Sequence, residues 1–184
     1  MGEKRNEHRN ACEHPIRLAG LRIMNYEISE IKEAEYDLLE GFLYEAIFVP
    51  KGVEPPPWSI IQEPELQVYI QNFGAREHDK AFIAKVNGKA MGAVWARIMD
   101  DYGHIDDETP SLAIALYKEY RGAGIGTELL RRMLAALKAS GYEKASLAVQ
   151  KANYAVKMYL DAGFKIFDEN EQEYILVNYL QGKR

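Results

Sequence analysis

Residues 111–140 of this 184-residue chain constrain its fold more than any other stretch. They open on Ser111, Leu112, Ala113, Ile114, Ala115 and Leu116, a short apolar run that reads as a buried strand. Arg121-Gly122-Ala123-Gly124-Ile125-Gly126-Thr127 follows, and then Leu129, Leu130, Met133, Leu134 and Leu137 recur at the spacing of one helical face. The order is strand, glycine-rich turn, helix. Three glycines let the backbone approach a bulky group and turn its N–H groups outward. The first turn of the helix adds unpaired donors at the positive end of its dipole. Such a seat holds an anion, most naturally a phosphate or pyrophosphate. The competing reading is a turn made glycine-rich for packing alone.

Spacing separates the anion-binding families that use this design. A P-loop needs Lys and Ser/Thr after its last glycine, but Gly126 is followed by Thr127 and Glu128. A dinucleotide fingerprint fits Gly122 and Gly124 but meets Thr127 in its third place, and the stretch lies late in the chain. What is left, Arg121-x-x-Gly124-x-Gly126, resembles the acyl-coenzyme A loop of the GCN5-related N-acetyltransferases, the GNAT family. In that family a basic residue opens the loop and the following backbone amides hold the pyrophosphate.

The chain length suits one domain, expected over residues 23–180. A net charge of −5 disfavours nucleic acid as a partner, since phosphate backbones are bound by clustered Lys and Arg. The single cysteine, Cys12, has no internal partner for a disulfide. No apolar run approaches the length of a membrane helix, so a cytoplasmic location and no membrane partner are expected. Residues 1–22 are rich in charged and amide side chains without apolar periodicity, which predicts a mobile extension.

Ile23, Tyr26 and Ile28 suggest a first strand, and Leu38, Leu39, Phe42, Leu43, Ala46 and Ile47 mark an amphipathic helix. Pro50, Pro55, Pro56 and Pro57 end it and lead to Trp58. A second helix is predicted from Leu66, Tyr69, Ile70 and Phe73. Asn87-Gly88 joins two strands as a hairpin, because both residues accept positive φ. Residues 100–110 carry Asp100, Asp101, Asp106, Asp107 and Glu108 with Tyr102 and His104, either a solvated loop or an acidic mouth for a cationic amine. After the central helix come a strand over residues 145–149, a short helix from Asn153 to Leu160, and two last strands.

A second motif, Asn153-x-Ala155-x-x-x-Tyr159-x-x-x-Gly163-Phe164, resembles the other signature of the same family and stands at the expected distance from the first. The resemblance covers residues 26–179. It implies an α+β fold, a mixed and mostly antiparallel sheet with helices on both faces. Acetyl-coenzyme A is implied as co-substrate, with no metal. Its arm is expected along Ile114, Ala115 and Leu116, with a bulge splaying that strand from residues 145–149. Arg121, Gly122, Ala123, Gly124, Ile125, Gly126 and Thr127 are expected to hold the pyrophosphate, and Asn153 to bond the arm or cap a helix. Tyr159 is implied as the acid that protonates the departing sulfur; the alternative is a core aromatic. Lys118 departs from the family, which often has proline between strand and loop. The first two helices and the proline run would overhang the acceptor, unless the run is a rigid linker only.

Attack on a thioester needs a neutral amine, and an alkyl amine is almost entirely ammonium at neutral pH. Glu108, just ahead of the central strand, is the first candidate for the carboxylate that takes the proton, and Asp107 the second; both could instead only line a loop. The acceptor would be a primary amine of a small molecule or a protein. Two further readings stay open: a coenzyme A-binding regulatory module without turnover, and a plain interaction domain. A homodimer is a further expectation, with the last strand over residues 173–179 as its edge.

Overall fold

The computed structural model describes residues 14–18 and 22–181, with side chains from Asn25 onward. Eight strands form one sheet: β1 (His14–Leu18), β2 (Arg22–Glu30), β3 (Lys80–Val86), β4 (Lys89–Arg97), β5 (Ser111–Leu116), β6 (Lys144–Gln150), β7 (Lys165–Glu169) and β8 (Glu173–Tyr179). Four helices accompany it: α1 (Leu38–Ala46), α2 (Pro64–Gln67), α3 (Ile125–Ala139) and α4 (Val156–Asp161). The strand order is β1-β2-β3-β4-β5-β6-β8-β7, antiparallel throughout except for the parallel pair β5–β6. Among the described residues no helix is long and apolar enough to cross a membrane.

The sheet separates two cores. On one face Leu129, Leu130, Met133 and Leu137 of α3 pack with Val94, Leu112, Ala145, Leu147 and Tyr159. On the other, Leu39, Phe42 and Leu43 of α1 pack with Ile83, Ala93, Trp95 and Ala115. The apolar stripes of α1 and α3 are therefore the faces that bind them to the sheet. Asn87 and Gly88 take φ values of 50° and 75° and close the β3–β4 hairpin.

Three expectations from the sequence need correction or restriction. The helix predicted over Leu66 to Phe73 is α-helical only over Pro64–Gln67. Beyond that, backbone bonds mix three- and four-residue spacings. The cause lies at the end of β4: the buried Arg97 guanidinium bonds the carbonyls of Val68 at 3.1 Å and Gln71 at 3.0 Å, two groups a regular helix would use for itself. The last strand, β8, is not an edge. It lies between β6 and β7 because the β7–β8 hairpin folds back onto β6, pairing it from Lys144–Tyr179 to Gln150–Glu173. Finally, much of the extension expected over residues 1–22 lies outside the described residues, but within it β1 pairs with β2 from His14–Tyr26 to Leu18–Arg22.

The β5–β6 pair positions the site. β5 follows β4 along its whole length, yet its register with β6 consists of one pair, Ser111–Ser146. Tyr117 N–H donates to the Met91 carbonyl at 2.9 Å. By the alternation of an antiparallel ladder, Leu112, Ile114 and Leu116 then turn their backbone groups away from β4, toward the β6 side. Beyond the single rung the two strands diverge.

Candidate active site

The wedge between β5 and β6 opens toward the glycine-rich loop. At its mouth a short turn, Lys118–Tyr120, leads through Arg121 into Gly122 and Gly124, whose φ values are 77° and 83°. Only glycine adopts this left-handed region freely. A Cβ at either position would meet nothing within 4 Å, so both glycines face open space. Arg121 N–H donates to Lys118 and Glu128 N–H donates to Gly124. Between them, the N–H groups of residues 122–127 donate to no group among the described residues. Six neighbouring donors converge at the N-terminus of the fifteen-residue helix α3. That is the environment a pyrophosphate requires, and the loop therefore fits the anionic part of coenzyme A.

Gly126 serves a different end. Its Cβ would lie 3.3 Å from Leu116 Cδ1 and 3.4 Å from Met158 Sδ, so it lets α3 seat against β5 and α4. Arg121 is already engaged: its Nε bonds the Leu116 carbonyl at 2.9 Å and its Nη2 the Glu45 carboxylate of α1 at 2.9 Å. It thus fastens the start of the loop to the end of α1, and its Nη1 makes no bond within the described residues.

Tyr159 lies on α4 on the α3 side of the wedge, 8 % exposed, with its ring edge-on to Phe164 at 5.9 Å. Its hydroxyl has no hydrogen-bond partner among the described residues, and burial raises its pKa, with the neighbouring Tyr154 adding to the shift. The group stays protonated. Asn153 closes the turn into α4, its Oδ1 accepting from Ala155 N–H at 2.9 Å.

The acidic loop over residues 100–110 is more differentiated than its composition. Asp106 is tied to Lys144, to Thr109 Oγ1 at 2.6 Å and to Glu108 N–H at 3.1 Å. Lys144 and Thr109 together hold its carboxyl down at about 2. Asp107 is exposed, 3.8 Å from His104. Glu108 is also exposed, on the Lys144 side, and no described contact joins its carboxylate to β5 or to Tyr159. Asp101, in contrast, reaches β5 directly: its Oδ2 accepts from Ser111 Oγ at 2.7 Å and from Tyr69 OH at 2.8 Å. The motifs did not single it out. Only the fold brings Tyr69, thirty-two positions earlier, against it.

Known proteins resemble this chain in sequence and in fold. The sequence model of the acetyltransferase (GNAT) family matches residues 43–164. An uncharacterized N-acetyltransferase of Archaeoglobus fulgidus is 24 % identical over 137 residues, covering 71 % of this chain and 88 % of that protein. An N-alpha-acetyltransferase of Sulfurisphaera tokodaii is 32 % identical over 100 residues, 49 % of this chain and 59 % of that one. Among solved structures, the PaiA N-acetyltransferase of Thermoplasma acidophilum in complex with coenzyme A superposes with a TM-score of 0.64 at 19 % identity, over 85 % of this chain and 99 % of that one.

Proposed function

Because the chain belongs to the GNAT acetyltransferase family and transfers acetyl from acetyl-coenzyme A, we propose that the β5–β6 wedge is where a primary amine, of a small molecule or a protein, receives the group directly. The observation that carries this reading is the run of six N–H groups from Gly122 to Thr127, without an acceptor among the described residues, at the mouth of a wedge held by one rung. Bound acetyl-coenzyme A supplies an activated acyl carbon on sulfur. The residues supply everything else.

The loop amides and the α3 N-terminus bind the pyrophosphate. The backbone groups of Ile114 and the N–H of Leu116, turned toward the diverging β6, are offered to the arm and to the acyl oxygen, where an oriented N–H favours developing negative charge. Tyr159 holds a proton in an apolar surrounding and gives it to the sulfur as the carbon–sulfur bond breaks. Asn153, committed to its turn, fixes the entry of α4 and hence the position of Tyr159. The lone cysteine and the absence of clustered basic residues favour a cytoplasmic reaction on an amine over a nucleic-acid target.

The test is free-thiol release from acetyl-coenzyme A over a panel of amines, run beside thermal melts. At a hundredfold over its dissociation constant, acetyl-coenzyme A adds about 2.7 kcal/mol if it binds only the folded state. Wild type should melt higher with it and release thiol only when an amine is present; Gly124→Glu, which puts a carboxylate into the seat, should lose both. Binding without release from any amine would replace this reading with a regulatory one.

A further inference from the structure

The acceptor side of the wedge ends in a hydrogen-bonded unit that no motif names. Ser111 occupies the only rung between β5 and β6 and is 1 % exposed. It lies on the α1 face of the sheet with Ala113 and Ala115. Ser146, its partner in the rung, lies on the same face, since Ala145 and Leu147 belong to the opposite core. Ser146 is fully buried and its hydroxyl has no partner among the described residues. Asp101 Oδ2 takes the Ser111 and Tyr69 hydroxyls, while Oδ1 is enclosed and has no donor. Gly103 closes the unit: a Cβ there would stand 2.8 Å from both Ala148 N and Ser111 Oγ.

Oδ2 is thus the oxygen through which Asp101 meets β5, by way of the Ser111 hydroxyl. A hydroxyl that donates to the carboxylate from the rung itself is the natural carrier, because the burial that encloses it keeps bulk water from competing.

We propose that Asp101 takes up the proton that the acceptor must lose, with Ser111 as the hydroxyl that passes it on. The inference rests on the acetyl-transfer reading and assigns the proton path of that same site. The acceptor arrives as an ammonium. Its first proton goes to Ser111 Oγ as the Ser111 proton moves to Asp101 Oδ2, and the neutral nitrogen then bonds the acyl carbon. The carbon–sulfur bond breaks, and sulfur leaves with the Tyr159 proton. The second nitrogen proton is released to solvent, from which Tyr159 is reprotonated, and Asp101 returns its proton the same way.

Asp101 meets Tyr69, from the segment after α2, through its carboxylate and His104, of its own loop, through its backbone carbonyl, and Tyr69 in turn feels Asp101, Tyr102 and Glu173. Burial, then the Asp101 charge, raises the Tyr69 pKa, which keeps it a donor. Arg97 is consumed by Asp79 and two carbonyls. Among the described residues only Tyr69 and Ser111 donate to the Asp101 side chain.

Asp101→Asn and Ser111→Ala should each lower kcat/KM for an alkyl amine at pH 7 by about a hundredfold, while the thermal shift with acetyl-coenzyme A stays as in wild type. The deficit should shrink toward about pH 9.5, where much more of the amine is already neutral. It should also be small for a fluorinated analogue of the same acceptor that is neutral at pH 7. A merely structural defect would follow neither pH nor acceptor basicity. If Asp101→Asn does not fold, Ser111→Ala decides alone. Wild-type activity with an unchanged pH profile in the folded variants overturns the proposal, as does a pH-rescued loss in Glu108→Gln in their place. Wild type that releases no thiol from any amine overturns the acetyl-transfer reading itself.

Discussion

Gly103 is the residue at which the packing of the acceptor side can be tested by adding one methyl group. It is buried in the loop between β4 and β5, and its added Cβ would meet Ala148 N at 2.8 Å, Ser111 Oγ at 2.8 Å and Leu147 C at 2.9 Å. Two of the three are backbone atoms of β6, fixed by the full ladder with β8, so they do not rotate aside. The third moves only by giving up its bond to Asp101. Gly103→Ala therefore forces either the loop or β6 to shift. Overpacking of this kind costs about 1–3 kcal/mol, which for a chain of this size lowers Tm by roughly 2 to 12 °C. Thermal melts by circular dichroism measure it directly. Turnover should fall as well, with the alkaline recovery expected of Ser111→Ala. Gly124→Ala is the matched control: its Cβ meets nothing within 4 Å, so only its left-handed φ is penalised, by about 1–2 kcal/mol. A Gly103→Ala protein that melts within a degree of wild type and keeps its turnover would refute the view that this loop is wedged on the rung.

Two further outcomes follow from other parts of the site. Tyr159→Phe should cut kcat by about a hundredfold or more and leave Tm nearly unchanged, since the hydroxyl has no partner among the described residues to lose; paired turnover and melting measurements check it. Glu128, in the first turn of α3, has its carboxyl held down at about 2 by Arg131 and then Arg132. A depressed carboxylate contributes stability above its unfolded value near 4.5 and loses it as pH falls toward 2. Glu128→Gln should therefore flatten the urea-unfolding free energy across that window by about 1–2 kcal/mol, less than the full shift because Arg131 is solvated; parallel slopes for the two proteins would sink this.

Elements that carry their own local signal were legible before folding was considered. The leucines of α3 repeat on one face, Asn87-Gly88 demands a hairpin, and the glycines from Gly122 to Gly126 mark the turn from strand to helix without any neighbour. What escaped depends on partners remote in sequence. α2 stops short because Arg97 takes the carbonyls of Val68 and Gln71 just beyond it, and Arg121 turns to Glu45, seventy-six positions away. Gly126 looks like Gly124 in the motif, but only the arrival of Met158 shows that it makes room for packing. The carboxylate nearest β5 is Asp101 rather than Glu108 because a loop folds back on the strand it precedes, and composition cannot tell one acid of that run from another.

The single rung has a mechanical consequence. Backbone bonds make β1 to β5 one ribbon and β6, β8 and β7 another, and at Ser111–Ser146 the two are stitched once. Side chains of α3 and the buried face of β6, not a ladder, hold the ribbons side by side. A ligand lying in the wedge and bonding both edges would act as the missing rungs. An enzyme that binds its substrate there would borrow part of its rigidity from it, and each product release would return the sheet to two leaves on one hinge.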